Sequence, residues 1–430
     1  MISFITPTHN PRYLKETYDS LSKQTDNDWE WVIVKNGDAK NLNHALLFRE
    51  IQKDIRVKIL DLPDLLEGKG IGAIKQWSFL QGCGDFLAEL DHDDLLAPTA
   101  VEDLKKAFRE TDADFVYSNT AEFLPNGDGH WFPEWKENGW RYRDSYIDNQ
   151  WYNECISFPP SAITLSLIYY SPNHIRCWKK DFYNELGGHN PNYLLCDDHE
   201  LCIRTYLHGK MYHLNKLLYL YRLGEQNTYS KNIESIRNLT YQLYIANLEK
   251  LIIRESELTG YPIFDLGGAF NCPEKWTSVD LNNANVISNL NERWPFKDNS
   301  VLAFRAYDII EHLTDKQHVM SEIHRCLKPG GWALIQVPST DGRGAFMDPT
   351  HVSYWNENSF WYYTRPEQAS YIHNTDKHFI EQRLFTFYPS DWHAQNKILY
   401  TKAELLAIKG DMTNQPGYRR FITLEEEANF

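Results

Sequence analysis

The chain has no uninterrupted run of about 18 apolar residues, so no membrane-crossing helix is expected. Its opening, "MISFITPTHNP", lacks the basic stretch and long apolar core of a signal peptide. Paired metal-binding cysteines are also missing. The seven cysteines (Cys83, Cys155, Cys177, Cys196, Cys202, Cys272 and Cys326) are odd in number and contain no CxxC pair, so neither a zinc site nor a disulfide framework is expected. They are expected to be reduced and mostly buried, in a cytoplasmic protein that at most rests on a membrane. There is no surplus of positive charge: 44 Lys and Arg face 59 Asp and Glu, a net charge of -15. That balance argues against nucleic acid as the main partner, because a phosphate backbone calls for a basic surface. No low-complexity tract is found, and 42% hydrophobic residues make a globular core affordable.

At 430 residues the chain is too long for one ordinary core, and two domains are expected. "ISFIT" at 2–6, "EWVIV" at 30–34 and "RVKILDL" at 56–62 read as short buried strands. Asn10 and Pro11 read as the N-cap and first position of a helix carrying Leu14, Tyr18 and Leu21. Alternating strands and helices predict a mostly parallel sheet covered on both faces, with ligands at the carboxyl ends of the strands. "KNGD" and "DHDD" fall at such ends. From 230 to 260 a long amphipathic helix, with Ile236, Leu239, Leu243, Ala246 and Leu251 towards one side, reads as a connector. A second α/β unit follows over 261–430, with two paired strands near its end and "LEEEANF" as a solvated tail. The first unit is then 1–229.

"AELDHDDLLAP" crowds Asp91, Asp93 and Asp94 behind an apolar strand. Two carboxylates spaced as Asp91 and Asp93 are can address one hard divalent ion, and oxygen-only ligation favours Mg²⁺ or Mn²⁺ over zinc. The plainer reading is a turn opening a helix, since Pro98 starts helices and Asp caps them. The order of segments is more specific: "TPTHN", "WVIVKNGD", "GCGDFLAELDHDD", "LGGHNPNYLLCDDHELCIRTYLHGK" and "LYLYRLGEQNTYS". Over residues 1–225 this series resembles the family-2 glycosyltransferases, nucleotide-sugar enzymes of the GT-A fold. The resemblance implies that Asp93 holds the metal on the sugar-nucleotide diphosphate and that Asp91 shares it or faces the ribose. Thr6 and Asn36 would border the base, with Asp38 beside them, and Lys75 would contact a phosphate. Asp198 matches the family's catalytic base, with Asp197 second. Three positions depart from the pattern. Lys35-Asn36-Gly37-Asp38 replaces the usual Asp-Asp-Gly-Ser, Lys75-Gln76 replaces Arg-Asn, and Gly224 stands where a metal-binding His is frequent. The aromatic segment 130–154 reads as an acceptor platform or as simple packing.

In the second half, "FDLGG", "SVDLN", "NLNERWPFKDNS", "YDIIEHL", "LKPGGWALIQVP" and "DPTHVSYWNENSF" resemble class I methyltransferases that use S-adenosylmethionine. The resemblance implies a cofactor site built from Asp265, Gly267, Gly268 and Asp280, with Asn289 and Leu290 bordering the adenine. Only 12 residues separate Gly268 from Asp280, which leaves little room for the usual intervening helix. His312, Asp348 and His351 are the candidate bases for methyl transfer.

The leading expectation is an inverting, metal-dependent glycosyltransferase acting on a glycan or glycolipid acceptor. A methyltransferase-like domain, active or serving as an inactive scaffold, would be fused behind it. Two rivals stand beside it: a phage-type glycosyltransferase of modified DNA bases, and a non-catalytic glycan-binding or assembly protein. Overall acidity weighs against the first, and the intact Asp91, Asp93 and Asp198 set against the second. Homo-oligomerisation is left open.

Overall fold

The computed structural model describes residues 1–169, 171–224, 228–374 and 378–410, apart from the side chains of 137, 138 and 228–231. The solvated tail expected at 424–430 lies outside them. Two compact units emerge, and the division falls inside one long helix, between Leu251 and Ile252.

In the first unit β1 (Ile2–Thr8), β2 (Trp29–Lys35), β3 (Val57–Asp61) and β4 (Phe86–Glu89) form the parallel run β3-β2-β1-β4. Between them run α1 (Leu14–Ser22), α2 (Ala45–Ile51) and α3 (Ile71–Phe79). β1 is buried along almost its whole length, which is why it reads as a continuous apolar run rather than an alternating one. The helix start expected at Asn10 is corrected. Asn10 Oδ1 accepts from the Arg12 N–H, closing a local turn, and α1 begins at Leu14.

β5 (Leu95–Leu96) and α4 (Ala100–Thr111) lead to β6 (Phe115–Phe123), every residue of which is buried. α4 places Val101, Leu104, Ala107 and Phe108 on the core side and stops at Asp112, whose φ of 51° is left-handed. β7 (Gly129–His130), the hairpin of β8 (Arg141–Ile147) and β9 (Gln150–Ile156), α5 (Ala162–Leu167), β10 (Arg176–Lys179), α6 (Lys180–Glu185), α7 (Asp197–His208) and β11 (Met211–Arg222) complete the unit. The sheet runs β3-β2-β1-β4-β10-β6-β11-β5; β10 is antiparallel to both neighbours, and β9 pairs antiparallel with β6. Parallel pairing thus dominates the half that holds β1 to β4. The other half is mixed.

α8 (Thr228–Thr259) follows, with a kink at Asn232. Ile236, Leu243 and Leu251 are buried as expected, but Ala246 is exposed, and Tyr244 and Leu248 take the inward positions.

The second unit holds β12 (Ile263–Leu266), β13 (Thr277–Asp280), β14 (Val286–Ile287), β15 (Val301–Tyr307), α9 (Lys316–Cys326), β16 (Leu327–Pro338), β17 (His378–Phe387) and β18 (Tyr400–Ile408). Its sheet order is β14-β13-β12-β15-β16-β18-β17, parallel as far as β16 and closed by the antiparallel pair β18 and β17. No helix forms between β12 and β13.

The seven cysteines are all free, five of them buried. No helix among the described residues is long and apolar enough to cross a membrane.

Glu122, inside β6, is 6% exposed, and one carboxylate oxygen has no hydrogen-bond partner. Burial pushes its carboxyl up to about 7. A raised folded-state pKa means stability that is complete below the ordinary carboxylate range and lost as pH rises through 7. Glu122→Gln should therefore flatten the loss of stability between pH 5 and 8, and gain about 3 kcal/mol at the upper end, in urea unfolding at each pH. An unchanged pH profile would rule out Glu122 as its source.

Candidate active site at the carboxyl end of the first sheet

Asp94 answers one part of the acidic cluster. It is 1% exposed, and its two oxygens accept from the Tyr219 hydroxyl and the Arg222 N–H, each at 2.7 Å. Arg222 also donates to the Asp93 carbonyl at 2.7 Å and to Glu16 at 2.6 Å, while the Asp91 N–H donates to Tyr219 Oη. Burial, then the charges of Asp93 and Asp91, push the Asp94 carboxyl well up. Asp94 thus ties the end of β11 to the loop after β4.

Asp91 and Asp93 form no salt bridge among the described residues. Burial pushes the Asp93 carboxyl up, His92 draws it down, and Asp91 pushes it up again. Two partly buried carboxylates without a salt-bridge partner among the described residues suit a hard divalent cation. No His, Cys or further carboxylate joins them in a compact ligand group among the described residues. Gly224 is exposed and offers no side-chain ligand.

Two residues before Asp91 lies Glu89, at the end of β4 and 2% exposed. Lys75 Nζ is 2.8 Å from it, His189 Nε2 3.2 Å, Arg176 Nη1 3.3 Å and His174 Nε2 3.4 Å. Burial alone would raise the Glu89 carboxyl; Lys75, the two histidines and Arg176 hold it well below its ordinary range. Arg176 continues to Asp198 at 2.6 Å, and His189 lies 3.7 Å from Asp197. Against the pull of burial, Arg176 and Lys75 keep the Asp198 carboxylate ionised far below the usual range. Asp197, more deeply buried, is pushed up instead, and its Oδ2 has no hydrogen-bond partner.

The local sequence explains how these groups meet. Asp197 and Asp198 open α7, and Lys75 lies on α3, whose N-terminal end presses on the backbone of 190–193. Gly72 makes that approach feasible: a Cβ there would sit 2.2 Å from the Asn190 carbonyl oxygen. Lys75 consequently feels Glu89, Asp197, Asp198 and Asp91 together, which hold its ammonium well above the ordinary range despite burial.

Other expected positions fare differently. Thr6 is corrected: it is fully buried, donating to the Leu90 carbonyl at 2.6 Å and accepting from Trp31 Nε1 at 2.7 Å, so it braces the sheet rather than a base. Lys75 has its own buried partner in Glu89. Asn36 stands at the strand end with a buried, unpartnered Oδ1, next to the equally unpartnered Thr8 Oγ1, and its N–H bonds the Thr8 carbonyl. Asp38 is exposed. Of the aromatic segment, Trp140 and Tyr152 are buried, whereas Tyr146 and Trp151 lie exposed at the β8-β9 hairpin, 5.1 Å apart.

Glu89, Arg176, His174, His189 and Thr8 were missed. Glu89 carried a signal, an acid inside the apolar strand "FLAEL"; the partners, far off in sequence, carried none.

In the second unit the turn after β12 sits close to Ile309, since a Cβ on Gly267 (φ 77°) would lie 2.8 Å from Ile309 Cβ. Asp280 accepts from the Ala269 N–H at 3.3 Å and the Leu281 N–H at 2.6 Å, and Asn289 is tied to Glu292 at 2.9 Å. Two expected positions are corrected. Leu290, 4% exposed, belongs to the hydrophobic core. Asp265, 2% exposed, is paired with Arg305 at 2.7 Å and serves the fold. The Gly267–Ala269 turn and Asp280 still stand where a methyl donor would be held, so the fit is partial. His312 and His351 come together, their rings 4.9 Å apart at a T-shaped angle; Asp348 lies outside that contact and bonds Thr350.

Residues 3–165 match the family model described as Glycosyl transferase family 2. The first unit is thus glycosyltransferase-like. Residues 274–335 match a Methyltransferase domain model, so the second unit is methyltransferase-like. The chain is 24% identical over 237 residues to chondroitin synthase of Pasteurella multocida, covering 55% of this chain but 22% of that protein. It is 33% identical over 112 residues to the O-antigen biosynthesis protein RfbC of Myxococcus xanthus, 8% of which is spanned. Glycosyltransferase GlyG of Streptococcus pneumoniae is 27% identical over 232 residues, 52% of this chain and 70% of GlyG. Among solved structures, S. aureus TarS 1-349 in complex with UDP gives a TM-score of 0.42 at 16% identity, covering 60% of this chain and 70% of that one.

The two roles assigned within "DHDD" are separable. Asp94→Ala should cost about 2–3 kcal/mol in urea unfolding, because it strands a buried hydroxyl and a buried N–H. Asp93→Ala should leave stability within about 1 kcal/mol of the parent. Equal losses would contradict this division of labour.

Proposed function

We propose that the first unit is an inverting, divalent-metal-dependent glycosyltransferase that moves a sugar from a nucleoside-diphosphate sugar to a hydroxyl of a glycan or glycolipid acceptor. One observation carries the reading: Lys75 on α3 and Asp198 on α7 are joined through Glu89 and Arg176 in one buried charge network at the carboxyl end of parallel strands, two residues from Asp91. Ligands bind at that edge in open α/β sheets.

Asp93 and Asp91 would hold the Mn²⁺ or Mg²⁺. A bound divalent ion supplies charge neutralisation for the departing diphosphate. Asn36, Asp38 and Thr8 border the nucleotide, and Lys75 adds positive potential from behind Asp91. Asp198 takes the proton of the acceptor hydroxyl as that oxygen attacks the face opposite the leaving group. Arg176 keeps Asp198 ionised and oriented. Tyr146 and Trp151 offer rings for an acceptor sugar. The enzyme would work in the cytoplasm, against a membrane surface when the acceptor is a glycolipid.

Asp198→Asn should retain donor binding while transfer falls about 10³-fold, since an amide cannot take the proton. Asp93→Ala should abolish metal-stimulated turnover of the donor. Both are read by release of nucleoside diphosphate beside calorimetric donor binding. Undiminished transfer in Asp198→Asn removes the base assignment, and undiminished turnover in Asp93→Ala removes the metal assignment.

For the second unit we infer a site for S-adenosylmethionine at the Gly267–Ala269 turn and Asp280. Titration should give saturable heat that Asp280→Ala abolishes. Absence of heat and of any thermal shift in the parent chain would make the unit a scaffold.

A further inference from the structure

After β15 the chain turns sharply through a 3₁₀ segment, Ile310–His312, at the carboxyl edge of the second sheet. The loop 348–353 is clipped onto that turn, with the Val352 and Ser353 N–H groups both donating to the Glu311 carbonyl at 2.9 Å. The clip brings three side chains together. One ligand atom each from Glu311, His312 and His351 lies within 4.8 Å of the others, the only such group of three among the described residues. The Glu311 carboxylate is 2% exposed, and neither of its oxygens has a hydrogen-bond partner. A bare carboxylate buried in this way costs several kcal/mol unless a cation or a proton offsets it.

The imidazoles are held as ligands are held. His351 Nδ1 faces the Ala345 carbonyl at 2.9 Å, so its proton sits there and Nε2, 4.0 Å from Glu311 Oε1, presents a lone pair. His312 Nδ1 faces the Thr350 carbonyl at 3.2 Å and its hydroxyl oxygen at 3.1 Å, leaving Nε2 free in the same way. The Thr350 hydroxyl is itself oriented by donating to Asp348 Oδ1 at 2.6 Å. A carbonyl or carboxylate behind each imidazole fixes tautomer and ring direction, which is the usual support of a metal-binding histidine.

We propose that Glu311, His312 and His351 bind a divalent transition-metal ion, of the zinc or manganese class, in the methyltransferase-like unit. Two imidazole nitrogens with one carboxylate oxygen suit Zn²⁺, Mn²⁺, Fe²⁺ or Co²⁺ better than the oxygen-seeking Mg²⁺ or Ca²⁺. Three protein ligands leave coordination positions open, the mark of a site that takes water or a substrate oxygen. Asp348 and Thr350 act behind His312 as positioning residues. The site is distinct from the Asp91 and Asp93 pair, and its existence does not depend on the transferase reading.

The test uses the full-length chain without an affinity tag, carrying Asp93→Ala so that the first unit contributes no metal. After chelator treatment, Zn²⁺ should bind in one equivalent against a chromophoric competitor, and Co²⁺ should give visible bands of low coordination number. His351→Ala and His312→Ala should each abolish both signals, and Asp348→Ala should weaken Zn²⁺ about 10–100-fold. Should the histidine variants fail to fold by circular dichroism, pulsed EPR of the Mn²⁺-loaded parent replaces them and should report imidazole nitrogen coupling. No Zn²⁺ uptake, uptake unaffected in folded histidine variants, or the absence of nitrogen coupling would each overturn the proposal.

Discussion

The first unit turns on a single buried carboxylate. Glu89 sits inside β4, where a lone negative charge would cost more than most side-chain contacts return. Two cations and two imidazoles from three other parts of the chain surround it, and that convergence settles the position of everything near it. Lys75 comes with α3, Arg176 with β10, and His189 from the loop before α7. Arg176 then reaches Asp198, so the candidate base is held by the same charge network that makes the strand tolerable.

This arrangement also divides three adjacent aspartates by task. Asp94 faces inward and is spent on Tyr219 and the backbone of Arg222. Asp91 and Asp93 are only partly buried, and no salt bridge pairs either of them among the described residues. The contrast is electrostatic rather than chemical: identical side chains, separated by one or two residues, differ in whether the fold supplies a donor to each oxygen. Asp197 and Asp198 repeat the pattern, one raised by burial and the other held ionised by Arg176.

In the second unit several side chains at the carboxyl edge of the methyltransferase-like sheet are engaged within the fold. The crossover from β12 to β13 has no helix, Asp265 is neutralised by Arg305, and Leu290 has joined the core. At the same edge of the sheet Glu311 remains buried without a donor, and burial pushes its carboxyl up to about 8. A parallel sheet needs only its strands and covering helices to stay folded. Loops at the carboxyl edge are free to exchange one kind of chemistry for another.

Much was legible before the structure. Buried strands announce themselves as short apolar runs, so β1, β2 and β3 were placed close to their observed limits. The shortage of residues between Gly268 and Asp280 correctly foretold a crossover without a helix. The sequence misled where local chemistry competed with it: Asn10 closes a turn rather than capping α1, and Thr6, polar and at a strand end, is consumed by Trp31 and Leu90. What the chain order determined by itself was composition, periodicity and the identity of the acids. Only tertiary structure decided which acid is paired, which is left bare and which histidines share a carboxylate. Those outcomes depend on partners as far as 128 residues away, brought within a few ångströms by packing that no local pattern encodes.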